Sequence, residues 1–65
     1  ATDPLTPREK DVLRLVAEGA EPAEVAKRLH LSAGTVRNHL TAIVTKLNAR
    51  GRTDAVRIAS EAGWI

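Results

Sequence analysis

The chain has 65 residues, room for one domain and one core, because a chain this short buries only about 60% of the surface it exposes when unfolded. Apolar residues make up 43% and are nearly all Leu, Val, Ile and Ala, with Trp64 the sole aromatic, which suits packed helices. Cysteine is absent, so a disulfide framework and a thiolate metal site are excluded and a cytoplasmic location is expected.

Two histidines alone do not make a metal site, and neither a metal nor a cofactor is expected. No apolar run is long enough to cross a bilayer, and Ala1-Thr2-Asp3-Pro4 has no signal-peptide organisation. The first residue is not Met, which points to a fragment of a longer protein. No nucleophile with a base, no paired carboxylates in a pocket and no phosphate-binding glycine loop can be read, so the chain is not expected to be an enzyme. The net charge of +2 is unevenly spread: residues 1–29 hold five bases against six acids, and residues 30–65 hold five bases against two. The second half is therefore the one expected to face phosphates.

Four helices follow in chain order, over residues about 7–18, 22–30, 33–47 and 54–62. In Leu5-Thr6-Pro7-Arg8-Glu9, Thr6 and Glu9 form a capping box and Pro7 sits where no amide hydrogen is needed. Val12, Leu13, Leu15, Val16 and Ala17 keep helical spacing, and Gly19 supplies a left-handed stop. Pro22 opens the second helix behind the poor cap Glu21. Val25, Ala26 and Leu29 share one of its faces, and it ends near His30. Ser32 caps the third helix, with Leu31 as a hydrophobic staple.

The third helix is the most informative. Val36, Leu40, Ile43 and Leu47 form one buried stripe, while Gly34, Asn38, Thr41 and Thr45 turn outward with Arg37 at their edge. No carboxylate occurs between Ser32 and Asn48, whereas a merely solvated face usually mixes acids with bases. Gly34 in the first turn costs up to about 1 kcal/mol relative to Ala, so something is expected to come close there. After the exit loop from Asn48 to Gly51, Thr53 is expected to cap the fourth helix, with Asp54 in its first turn. Ala55, Val56, Ile58, Ala59 and Ala62 give that helix its apolar face before Gly63 ends it.

Two short helices joined by a tight turn, the second longer and polar outward, make an all-α helix-turn-helix domain with its unit at about 22–47. Ala26 is small where the two helices cross. His30 occupies the turn position where glycine is often found. A helical bundle that binds protein is the alternative on periodicity alone, and the acid-free outer face weighs against it.

The runs Leu5-Thr6-Pro7-Arg8-Glu9, Glu24-Val25-Ala26, Leu31-Ser32, Thr35-Val36-Arg37-Asn38-His39, Lys46-Leu47 and Arg52-Thr53-Asp54-Ala55-Val56 resemble the LuxR-type helix-turn-helix domain of the LuxR/NarL/FixJ family. Glu21-Pro22 and Asn48 depart from the usual pattern, yet both suit the same backbone roles. The resemblance implies a bacterial transcription regulator whose carboxy-terminal domain binds double-stranded DNA as a homodimer. The third helix would lie in the major groove, and the fourth would stand at the dimer contact through Asp54, Arg57 and Ile58. An upstream phosphorylatable receiver domain is implied by many family members, and RNA polymerase is a further partner to consider. The sigma-factor region four fold is an alternative that the Lys46-Leu47 and Arg52-Thr53 blocks disfavour.

By the same resemblance, Arg37, Asn38 and Thr41 point at base edges, and Thr35, His39 and Lys46 grip phosphates, with Thr45 beside them. The chemistry agrees: Arg pairs with O6 and N7 of guanine, Asn with N6 and N7 of adenine, and the Thr methyl contacts thymine. Ser32 and the amide of Gly34 open a helix whose positive end favours a phosphate. His39 lies at the border of the buried stripe and could equally be a packed histidine, and Lys46 could belong to an ordinary solvated face. Arg52 is expected in a structural ion pair with Glu9 or Asp54. Trp64 either packs over the core or stands at a partner surface.

Overall fold

The computed structural model describes residues 2–65, so Ala1 of the opening segment lies outside the described residues. It contains α1 (Pro7–Ala17), α2 (Pro22–Leu29), α3 (Ala33–Leu47) and α4 (Arg52–Glu61). Among the described residues no strand is formed, and no helix is long and apolar enough to cross a membrane. α1 and α3 each pack against the other three helices, whereas α2 and α4 flank them and do not pack on each other.

The core sits where that arrangement requires it, between α1 and α3. Val12 and Leu13 from α1 and Val36 and Ile43 from α3 are fully buried, closed on one side by Val25 and on the other by Ala55 and Ala59. The two alanines let α4 approach closely, since a larger residue there would overpack the interior. Leu47 is only partly buried at the end of the α3 stripe, and Ala17 and Ala62 are exposed, so the apolar faces of α1 and α4 are narrower than their sequences suggest.

All four helices end in the same way, with a left-handed residue and a hydrogen bond from the next amide back to a carbonyl five residues earlier. Gly19, His30, Asn48 and Gly63 take the positive φ values. The bonds run from Ala20, Leu31, Ala49 and Trp64 to the carbonyls of Leu15, Ala26, Val44 and Ala59, at 2.8 to 3.0 Å. Each of those four donors also packs against the core, so each turn is fixed by an amide and a side chain together. Trp64 therefore packs over the core and stays partly buried.

Two expectations for α4 need correction. The helix begins at Arg52 behind Gly51, which offers no side-chain cap, so Thr53 lies inside the first turn instead of capping it. Asp54 satisfies the entry, its Oδ2 accepting from the Arg50 amide at 3.0 Å. Arg52 pairs with neither Glu9 nor Asp54: its guanidinium lies 3.4 Å from Glu21 on the surface, because Lys46 holds Glu9 and Arg57 holds Asp54.

Candidate nucleic-acid interface

The turn that presents α3 is short because two caps meet there. His30 takes φ 57° and ψ 43° at the end of α2, a conformation that costs a bulky L-residue about 1 kcal/mol or more. Two residues later the Ser32 side chain accepts from the Thr35 amide at 3.0 Å, and its hydroxyl lies 2.8 Å from the Thr35 hydroxyl. No acid occurs in the first turn of α3, so its positive end carries no internal anion.

Beyond that turn the outer face is open. Gly34, Arg37, Asn38, Thr41 and Thr45 are all exposed, while Val36, Leu40 and Ile43 on the opposite side are buried. α4 packs against α3 without covering these positions. Arg8, Arg14, Arg52 and Arg57 each face a carboxylate within 4 Å, but among the described residues Arg37 does not. A side chain carbon placed at Gly34 would meet only the Ser32 hydroxyl, at 3.9 Å, so the packing of the chain itself does not require glycine there.

The remaining expected contacts divide. Thr35 and His39 are half-buried at the rim, as the border position of His39 on the helix implies. Lys46 is exposed, but its ammonium reaches back to the buried carboxylate and donates to Glu9 Oε1 at 2.7 Å and to Oε2 at 3.0 Å. Burial alone would push the Glu9 carboxyl up, but hydrogen bonds from Lys46 and the Thr6 amide, with the lysine charge, hold it below the ordinary glutamate value.

On α4, Asp54 accepts from Arg57 Nε at 3.1 Å and Nη2 at 2.8 Å, and Arg57 Nη1 reaches Glu61 at 3.1 Å. Ile58 is half-buried. Among the described residues no large apolar side chain is fully exposed, so the outer surface of this helix is polar with a modest apolar centre.

An open, acid-free second helix held by a tight left-handed turn is the presenting geometry of a helix-turn-helix DNA-binding domain. Residues 3–59 match the pattern of the bacterial regulatory proteins of the luxR family, and the chain belongs to that family. It is 57% identical to the response regulator RamR of Streptomyces coelicolor over 94% of its own length and 30% of that protein. It is 51% identical to the transcriptional regulatory protein YvfU of Bacillus subtilis, over 97% of this chain and 32% of that one. Among solved structures, the transcription factor GerE superposes with a TM-score of 0.90 at 29% identity, covering 95% of this chain and 92% of the other. The response regulator ChrA of a heme-sensing two-component system superposes with a TM-score of 0.91 at 31% identity, covering all of this chain and 32% of that one. The chain thus spans about a third of the length of RamR, YvfU and ChrA, and is a transcription-regulator domain of the luxR family.

Proposed function

We propose that the chain is the DNA-binding output domain of a response regulator and that α3 lies in the major groove of its operator. The observation that carries this reading is the uncovered, carboxylate-free face of α3, with Arg37 at its edge facing no carboxylate within 4 Å among the described residues. Arg37, Asn38 and Thr41 read base edges, and Ser32, Gly34, Thr35, His39 and Thr45 contact the phosphate backbone. The Lys46 ammonium donates to both Glu9 oxygens and stands apart from these backbone contacts.

Two copies bind a two-fold operator with α4 at their contact, through Ile58 and the Asp54–Arg57 pair. Dimerisation answers a physical need, since a single domain this small buries only roughly 600–1,000 Å² on DNA. In the whole cytoplasmic protein a receiver domain precedes this one, its phosphorylation governs dimerisation, and RNA polymerase is the later partner. The likeness to RamR and ChrA supports the receiver. The domain itself performs no catalysis.

The test is duplex binding at rising salt. Several phosphate contacts give a linear fall of log affinity against log salt, each contributing about 0.9 to the slope. Binding that is absent or insensitive to salt contradicts the reading.

A further inference from the structure

Glu9 is the one buried charged residue among those described, 4% exposed. Its carboxylate has two duties. Oε1 accepts from the Thr6 amide at 2.8 Å, completing the cap of α1, and both oxygens accept from Lys46 near the end of α3, 37 residues away. One buried group therefore joins the first turn of α1 to the last turn of α3. Removing Lys46 leaves the Glu9 carboxylate buried without its counter-charge, where water cannot replace the ammonium fully.

The position of this joint gives it leverage. Lys46 lies nine residues beyond Arg37, or about 13 Å along the α3 axis. A change of tilt at the joint moves the base-reading end of the helix, and paired contacts to base edges are sensitive to small displacements. Backbone contacts made by flexible side chains tolerate more. The Lys46 ammonium is held in a fixed place by two short bonds to one carboxylate.

We infer that Glu9 and Lys46 form a strut setting the attitude of α3 against α1, so that Lys46 serves sequence readout as a positioning residue through Glu9 rather than by gripping a phosphate. This rests on the reading of α3 as the groove helix. The strut is buried on one partner and spans the two central helices, and a surface pair would have no comparable hold on either.

The experiment compares Glu9→Gln, Lys46→Met, the double variant and Lys46→Arg. Binding is measured to a duplex selected from a random library by the unmodified chain, and to a scrambled duplex of the same length, below the melting temperature of every variant. The strut predicts that Glu9→Gln and Lys46→Met each weaken the selected duplex by about tenfold, the size of one good base contact. It predicts little change on the scrambled duplex, an unchanged salt slope, no further loss in the double variant and recovery in Lys46→Arg. A purely stabilising pair would lower the melting temperature and leave discrimination by the folded fraction intact.

The strut is overturned if Lys46→Met weakens both duplexes alike and reduces the salt slope by about 0.9 while Glu9→Gln changes neither. It is also overturned if residual dipolar couplings of the free chain show α3 at the same angle to α1 in Glu9→Gln and Lys46→Met as in the unmodified chain. The free-chain measurement separates the two readings: if the unmodified chain selects no duplex, the groove assignment fails, and the couplings alone decide whether the pair sets the helix angle. Should Glu9→Gln fail to fold, Lys46→Met against Lys46→Arg gives the same decision.

Discussion

Ser32 accepts a hydrogen bond from the Thr35 amide at 3.0 Å while the two hydroxyls lie 2.8 Å apart, so the residue that starts α3 also orders the polar rim of its first turn. Replacing Ser32 by Ala leaves that amide without its cap. The expected cost is about 1 kcal/mol of folding stability, read as a lower urea midpoint at unchanged slope. Ser32→Gly should cost only a few tenths of a kcal/mol, since glycine tolerates the cap conformation. A Ser32→Ala midpoint equal to the parent's would show that water serves the cap equally well.

His30 holds a left-handed conformation, as does Asn48, but the two differ in how readily they adopt it. Asparagine visits this region more easily than histidine. His30→Gly should therefore stabilise the domain by about 0.5–1 kcal/mol, and Asn48→Gly by less. Chemical denaturation of both variants checks the order. His30→Val should lose stability, because a β-branched side chain is strained at positive φ.

Acid should weaken the fold through its carboxylates. The Glu9 carboxyl is lowered from its ordinary value of 4.5: burial raises it, and the Lys46 and Thr6 bonds outweigh burial. A group lowered in the folded state contributes stability above its unfolded value and loses it as pH falls through the folded one. Asp3, lowered first by its bond from Lys10, and Asp54, lowered first by the Arg50 amide, act in the same direction. Both are exposed enough for their shares to be small. Urea midpoints should thus hold steady above pH 4.5 and decline below it. Glu9→Gln should start lower at neutral pH and decline less steeply in acid.

Local signals carried most of the fold. Thr6 with Glu9, Pro22, Ser32 and the left-handed Gly19, Asn48 and Gly63 are local features, and each forms the structure its chemistry favours; His30 is the exception, held left-handed against its preference. The buried stripe of α3 follows from spacing alone, and its open reverse face with it. The contacts between elements were less legible. Glu9 could be assigned to a cap because Thr6 is three residues away, but its bond to Lys46 depends on how α1 crosses α3. The acid that pairs with Arg52 is illegible for the same reason: Glu21 and Arg52 meet only once α4 is in place. Gly51 displaced Thr53 as the start of α4 because Asp54 reaches back to the Arg50 amide, a choice between two acceptable caps that sequence does not rank. The pairing of Asp54 with Arg57 is an i,i+3 contact and could have been read from spacing.

The role of α3 is tested most directly by Arg37→Ala on a duplex selected by the parent chain, scanned through every single base-pair substitution. Arg37 is exposed on the open face and faces no carboxylate among the described residues, so its guanidinium is available to guanine. The variant should lose about 1–3 kcal/mol on the selected duplex and become indifferent to the identity of one base pair. A variant that matches the parent across the whole set of duplexes would contradict the groove reading of α3.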